Sequence, residues 1–240
     1  MRIAKLEGEC LNGRRMTSVL VVDVGGSHVK VLVTGETERR RAESGPEFTA
    51  EQMVEAVKKL AEGWTWEAVS VGVPSPVHRG RIVHDPVNLG TGWVDFDYAA
   101  AFGTPTRVVN DAAMQALGSY DGGTMLFLGL GTGLGSTLVS ADGLVQPMEL
   151  GHLPYRKRTF EDYVGEAGLE KRGVKQWRQD VADVVGRLSA ALGPEYIVLG
   201  GGNAGKLKEL PPNARLGDNE NAFVGGFRLW DPDAPAHILA

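Results

Sequence analysis

Two hairpin-like segments, far apart in the chain, constrain the fold most. Each consists of a short apolar strand, a glycine-rich turn and a second strand: Val19–Val24 with Val29–Thr34, and Met125–Leu130 with Ser136–Ser140. Apolar, β-branched runs of this length predict buried strands, and the glycines predict tight turns. Alternating helical and strand-like segments follow each hairpin. The sequence therefore predicts an α/β protein of two similar halves, with mixed sheets flanked by helices around a central cleft.

The domain boundaries follow from the same pattern. Residues 1–15 are polar and show no clear period, so we expect a flexible N-terminal extension. We expect residues 16–109 to form a small N-terminal lobe, which a C-terminal helix near 223–230 completes. Residues 110–222 then form a larger C-terminal lobe. The chain after that helix is expected to be a loose tail.

Composition excludes several classes of protein. The net charge of -5 offers no electrostatic basis for nucleic-acid binding. The single cysteine, Cys10, excludes an intrachain disulfide and a multi-cysteine zinc site, and fits a reducing cytosol. We find no secretory signal and no apolar run of the roughly 20 residues that span a bilayer. We therefore expect a cytoplasmic protein without a nucleic-acid or membrane partner.

The pair Asn110-Asp111 is the main candidate for chemistry. It ends a predicted strand and precedes a predicted helix that begins at Ala112. A carboxylate there, facing a turn of bare backbone N–H groups, suits transfer of a phosphoryl group onto a hydroxyl whose proton it accepts. An isolated aspartate at such a junction is also a common helix N-cap. Both interpretations remain open on these residues alone.

The glycine turns and the acidic and basic residues around them add further candidates. Asp23 at a strand end before Gly25-Gly26-Ser27 favours a phosphate-binding turn beside a metal over an ordinary hairpin. Glu149 and His152 can offer an acceptor and a donor together, or form a surface pair. Arg156-Lys157-Arg158 is either a solvated loop or a basic track for a polyphosphate donor.

Together these motifs resemble the ROK family of sugar kinases, within the actin/hexokinase-like fold, and most closely its polyphosphate glucokinases. The motifs are spread over most of the chain and occur in the family's order. They are Asp23-Val-Gly-Gly-Ser27, Val109-Asn-Asp-Ala112, Gly129–Gly135, Glu149-Leu-Gly-His152, Phe160–Gly165 and Val198-Leu-Gly-Gly-Gly202.

The resemblance implies transfer of a phosphoryl group from ATP or polyphosphate to the 6-hydroxyl of a hexose, most typically glucose. It makes Asp111 the general base and Asp23 a Mg²⁺ ligand, through water. The implied sugar-binding residues are Asn110, Glu149, His152, Glu161 and Ser75. The implied phosphate- or nucleotide-binding residues are Gly25, Gly26, Ser27, Lys30, Gly131, Thr132, Gly133, Gly201, Gly202 and Asn203.

The sequence departs from the family at two places. Pro74-Ser75 stands where relatives usually have Pro-Gly, and Leu153–Thr159 lacks the cysteines that bind zinc in many relatives, so no zinc is expected. A homodimer is the usual expectation for the family. Two alternatives stay open: a non-catalytic sugar-sensing protein of the same fold, and an acyl-phosphate kinase or chaperone-like ATPase.

Overall fold

The computed structural model describes residues 17–218 and 220–238, so the predicted extension at 1–15 lies outside the described residues. Contacts between Cα atoms divide the chain into two compact units. The first runs up to Met114 and includes Gly226–Asp233, and the second consists of Gln115–Gly225 and the segment from Ala234. The division of the chain at 109 and 222 that the sequence suggested stays a prediction.

The first unit is built on a five-stranded sheet of order β3-β2-β1-β4-β7, with a small separate hairpin of β5 and β6. Its elements are β1 (Val19–Val24), β2 (His28–Val33), β3 (Arg40–Glu43), α1 (Ala50–Leu60), β4 (Ala68–Val73), β5 (Val77–His78), β6 (Arg81–Ile82), α2 (Tyr98–Phe102), β7 (Thr106–Asn110) and α3 (Asp111–Ser119). The chain passes into the second unit within α3.

Parallel pairing in this sheet brings the strand ends that matter to one edge. The strands β1, β4 and β7 run parallel, with Asp23 level with Gly72 and Val73 level with Asn110. The carboxyl ends of parallel strands meet at one edge, which is where α/β sheets commonly bind ligands. Asp23, the segment after Val73 and Asn110 therefore share this edge.

Helix α1 shows how the local sequence sets an element. Thr49 caps it, and the Thr49 and Gln52 side chains each accept from the other's backbone N–H, which is the capping box that their spacing predicts. Met53 and Val57 are buried against the sheet. The sequence predicts a short helix over residues 95–102, but α2 begins at Tyr98, because Asp97 caps it by accepting from the N–H of Ala100.

The second unit is built on a six-stranded sheet of order β14-β13-β8-β9-β10-β15. Its elements are β8 (Met125–Leu130), β9 (Leu134–Val139), β10 (Leu144–Met148), β11 (Pro154–Tyr155), β12 (Arg158–Thr159), α4 (Glu161–Val164), α5 (Glu166–Leu192), β13 (Tyr196–Gly200), β14 (Ala214–Leu216) and β15 (His237–Ile238). Helix α6 (Asn221–Arg228) begins in this unit, and the chain passes back into the first unit within it. Trp177 and Phe127 are among its largest fully buried side chains.

Two segments differ from the sequence-based expectation. The apolar stripe of residues 174–192 predicts a helix that begins at Val174, but α5 begins at Glu166 and is kinked at Gly173, whose φ of 73° and ψ of 156° are not helical. The expected loose tail contains β15, which pairs in parallel with β10. Within the described residues, no helix is long and apolar enough to cross a membrane.

Candidate active site

At the edge of the first unit's sheet, Asn110 and Asp111 have different roles. Asn110 Oδ1 accepts from the N–H of Ala113 at 3.1 Å, and this bond caps α3. Asp111 Oδ1 accepts from the N–H of Ala112 at 2.8 Å. Asn110 thus performs the capping that the sequence offered as the alternative role for Asp111. The Asp111 carboxylate belongs to the first residue of α3.

Ser75 connects this edge to the loop after β4. Its carbonyl accepts from Asn110 Nδ2 at 3.2 Å, and this bond helps to orient the Asn110 amide. The Ser75 hydroxyl donates to the carbonyl of His84 at 2.6 Å, and its N–H donates to the carbonyl of Val73 at 2.9 Å. The polar groups of Ser75 are therefore bonded inside the unit. A direct contact of Ser75 with a sugar stays a prediction.

Asp23 lies at the same edge and fits a water-mediated magnesium site. Its side chain is 11% exposed, and Asp23 Oδ2 is 3.1 Å from Lys30 Nζ, across the β1–β2 pair. No group of three or more His, Cys, Asp or Glu that could hold a metal occurs in the described part of the chain. A single carboxylate is still appropriate for Mg²⁺, which usually keeps several of its waters.

The turn after Asp23 is closed by its first glycine. The N–H of Gly25 donates to the carbonyl of His28 at 2.9 Å, and Ser44 Oγ donates to the carbonyl of Gly25 at 2.6 Å. Among the backbone hydrogen bonds of the described residues, none has the N–H of Gly26 or Ser27 as donor. Those two N–H groups are the ones that could bind a phosphate.

In the second unit, the turn between β8 and β9 is anchored to α5. The N–H of Glu166 donates to the carbonyls of Gly131 and Thr132 at 2.9 Å and 3.1 Å. The carbonyls of the turn are thus drawn toward the helix start. Glycine is required at Gly165, because a Cβ there would lie 2.5 Å from the Thr132 carbonyl oxygen.

Glu149, His152 and Glu161 form one cluster beside this turn. His152 Nδ1 is 3.2 Å from Glu161 Oε1, and His152 Nε2 is 3.5 Å from Glu149 Oε2. The other oxygen of Glu161 faces Gly133, where a Cβ would lie 2.6 Å from Oε2. The cluster is accessible, since the Glu149 and His152 side chains are 54% and 64% exposed.

The Glu149 carboxylate is electrostatically perturbed. Partial burial raises its pKa above the ordinary value of 4.5, the negative charge of Glu161 raises it further, and His152 opposes both effects. Two carboxylates around one imidazole leave acceptor capacity that the protein does not fill. Such a cluster can bind a ligand that carries several hydroxyl donors.

The turn after β13 adjoins a cavity. Gly201 has a φ of +83°, and a Cβ there would lie 2.5 Å from the carbonyl oxygen of Leu130. The cavity has a volume of about 480 Å³ and lies within the second unit. It is lined by Gly201, Gly202, Ala204, Gly205, Leu216, Gly217 and Asp218. Its size is suitable for a nucleoside-sized group.

Asn203 is buried below this turn, with its amide bonded inside the protein. Its Nδ2 donates to Glu166 Oε2 at 2.5 Å, and its Oδ1 accepts from Lys206 Nζ at 2.6 Å. Asn203 therefore links the turn to the start of α5; its predicted contact with a nucleotide stays a prediction. Sequence reasoning missed Glu166 and Asp218, because neither residue stands in a recognisable motif.

Comparison with known proteins identifies relatives of this chain in sequence and in fold. The ROK family profile matches residues 19–174. A polyphosphate glucokinase of Mycobacterium tuberculosis is 25% identical over 212 residues, covering 80% of each chain. The crystal structure of an inorganic polyphosphate/ATP-glucomannokinase from Arthrobacter sp. strain KM superimposes with a TM-score of 0.77 at 24% identity, over 88% of this chain and 97% of that one.

A second solved structure shows the same fold at lower identity. A ROK family glucokinase from Streptomyces griseus, in complex with glucose and AMPPNP, has a TM-score of 0.69 at 16% identity, over 87% of this chain and 97% of that one. These likenesses confirm the fold class that the two glycine hairpins predict. Because the family profile covers well over half of the chain, the protein belongs to the ROK family.

Proposed function

We propose that this protein is a hexokinase-type phosphotransferase that phosphorylates the 6-hydroxyl of a hexose, with glucose as the substrate. One observation carries the proposal: Glu149, His152 and Glu161 form one cluster, and Glu161 lies directly against Gly133 in the glycine turn. Strong acceptors for hydroxyl groups and a candidate phosphate turn are thereby neighbours. A sugar kinase needs both features at one site.

The carboxylates would hold the sugar. Sugar hydroxyls are donors, and hydrogen bonds to an ionised carboxylate are shorter and stronger than neutral ones. Glu149 and Glu161 accept from hydroxyls, and His152, which lies between the two carboxylates, contacts a further hydroxyl. Asn110 contributes its amide, which the bond to the Ser75 carbonyl orients.

Asp111 would act as the general base. The 6-hydroxyl oxygen forms a bond to the terminal phosphorus of the donor, the bond from that phosphorus to the bridging oxygen breaks, and Asp111 takes up the hydroxyl proton. Backbone N–H groups of Gly26, Ser27, Thr132 and Gly133 bind the donor phosphates, whereas the N–H of Gly131 donates to the carbonyl of Gly133 at 3.3 Å. Mg²⁺, held by Asp23 through water, would neutralise charge on the phosphates.

Both ATP and polyphosphate are proposed as donors. The cavity of about 480 Å³ beside Gly201 and Gly202 favours a nucleotide, because an unbranched phosphate chain would not need it. The polyphosphate glucokinase relative favours polyphosphate. We further propose a cytoplasmic location, and a homodimer remains a proposal from the family alone.

Formation of hexose 6-phosphate by the purified protein tests the proposal. The assay contains Mg²⁺ and glucose with either ATP or polyphosphate, and Asp111→Asn is the matched control. We expect Asp111→Asn to lower kcat by roughly 10²- to 10⁴-fold, the usual share of general-base catalysis, with glucose binding nearly unchanged. Near-normal turnover of Asp111→Asn would remove Asp111 from this role.

The same assay separates the alternatives. Glucose binding without phosphorylation of any hexose from either donor would indicate the sugar-sensing protein. ATP consumption that does not depend on a sugar would indicate the acyl-phosphate kinase or chaperone-like ATPase.

A further inference from the structure

A small hairpin lies between the two ends of the proposed sugar-binding cluster. Strands β11 and β12 pair antiparallel, with Tyr155 opposite Arg158, in the chain between His152 and Glu161. The N–H of Phe160 donates to the carbonyl of Leu153 at 3.0 Å and closes the base of the hairpin. The position of this hairpin therefore affects both ends of the cluster.

The tip of the hairpin is bonded to a buried carboxylate on α5. Arg156 Nη1 lies 2.8 Å from Asp180 Oδ1, and Arg172 Nε lies 2.6 Å from Asp180 Oδ2. The Asp180 side chain is 0% exposed, so it is removed from water and depends on these two partners. Buried ion pairs with both carboxylate oxygens bonded are geometrically specific.

Aromatic rings surround these guanidinium groups. Arg156 lies over the Tyr155 ring at 4.6 Å, and Arg172 lies over the Tyr163 ring at 4.9 Å. The Tyr155 hydroxyl donates to Asp183 Oδ2 at 2.6 Å. Cation–π contacts of this kind strengthen when they are shielded from water.

The cluster joins segments that are separate in the sequence. Arg172 precedes the kink at Gly173 and Asp180 follows it, so their bond holds the two parts of α5 at one angle. The first part begins at Glu166, whose N–H donates to the carbonyls of the Gly131–Gly133 turn. One buried carboxylate thus links the hairpin, both parts of α5 and the glycine turn.

We infer that Arg156 is a positioning residue, which holds His152 and Glu161 in place by bonding the buried carboxylate of Asp180. This inference rests on the proposed sugar-kinase function. It gives the basic cluster Arg156–Arg158 a different role from a donor-binding track. Arg158 likewise lies near a carboxylate, with its Nη1 3.5 Å from Asp162 Oδ1, so two of the three cations are paired.

Arg156→Ala and Arg158→Ala form a matched pair of variants. Each removes one positive charge from the same hairpin, but only Arg156 bonds to Asp180. Arg156→Ala should still fold, because Arg172 continues to neutralise Asp180. Arg156→Lys restores the charge without the fork geometry of arginine and tests for partial rescue.

The kinetic measurement is KM and kcat for glucose with each donor. For Arg156→Ala we expect the KM for glucose to rise by roughly tenfold or more with both donors, as when a residue that orients a ligand side chain is lost. The KM for glucose should be unchanged in Arg158→Ala and intermediate in Arg156→Lys. An unchanged glucose KM in Arg156→Ala would overturn the inference, as would a rise in polyphosphate KM alone in both alanine variants.

Hydrogen exchange makes the inference testable without catalysis. We expect amides of residues 152–161 to exchange faster in Arg156→Ala than in the wild type, and Arg158→Ala to match the wild type. Equal exchange in all three proteins would refute the anchoring role. A wild type that neither binds nor phosphorylates a hexose would instead refute the proposed function, and the exchange result would remain decisive for Arg156.

Discussion

Substituting Gly133 by alanine tests the proposed sugar site through a single steric contact. A Cβ at Gly133 would lie 2.6 Å from Glu161 Oε2, which is closer than Cβ atoms approach other atoms in proteins. The Glu161 carboxylate must therefore move. Because its other oxygen is 3.2 Å from His152 Nδ1, the movement disrupts the cluster that we propose for the hexose.

The size of the effect follows from the bond that is lost. A hydrogen bond to a charged group contributes roughly 1.5 to 3 kcal/mol. Misplacing the Glu161 carboxylate should therefore weaken glucose binding by roughly 10-fold to 150-fold. The carboxylate is at the end of a flexible side chain, so the fold should tolerate the change.

Gly131→Ala is the matched control. It lies in the same turn, and a Cβ there would have no atom within 4 Å. Neither Gly131 nor Gly133 has a positive φ, so alanine fits the backbone at both positions. Titration calorimetry with glucose in the absence of a donor measures the sugar site alone. Glucose affinity that is unchanged in Gly133→Ala, or equally reduced in both variants, would refute the assignment of Glu161.

Two further predictions concern pH and stability. The raised pKa of Glu149, caused first by burial and then by the charge of Glu161, means that the folded protein keeps this proton to a higher pH than the unfolded chain. Ionisation of Glu149 thus lowers stability as the pH rises above 4.5, whereas glucose affinity, which needs the ionised carboxylate, falls as the pH drops through the same window. Titration calorimetry with glucose should show the loss of affinity toward low pH in the wild type and not in Glu149→Gln. A loss of affinity that persists in the variant belongs to the titration of another group. Gly201→Ala combines a φ of +83° with backbone contact to Leu130 and should cost about 1 to 3 kcal/mol in denaturant unfolding, whereas Gly202→Ala, with open space, should change little.

The strand ends were predictable because their signals are local. Strand β7 ends at Asn110 and α3 begins at Asp111, one residue from the helix start that the sequence indicates. The turn at Gly25–Ser27 likewise follows directly from a buried strand and two glycines. Hydrophobic runs, glycine turns and capping residues act within a few positions, so the sequence alone contains them.

The remainder depended on partners distant in sequence. An apolar stripe that begins at Val174 does not indicate the start of α5 at Glu166, which lies before the kink at Gly173. The bond between Arg172 and Asp180 spans this kink and joins the two parts of the helix, and such a contact cannot be identified from the stripe. The strand β15 contains only two residues and forms by pairing with β10. Elements this short have no periodicity of their own, so tertiary pairing decides them.

The proposed sugar cluster also indicates how such a site would discriminate. His152 lies between the two carboxylates, with Nδ1 3.2 Å from Glu161 Oε1 and Nε2 3.5 Å from Glu149 Oε2. The longer distance leaves Glu149 the less closely bonded of the two carboxylates. A sugar hydroxyl that donates to Glu149 supplies a further bond. A molecule of similar shape without that hydroxyl would leave a partly buried carboxylate unsatisfied, which proteins reject more strongly than a small misfit in shape. Selection of the substrate at this cluster would therefore depend on the hydroxyl pattern of the sugar more than on its volume.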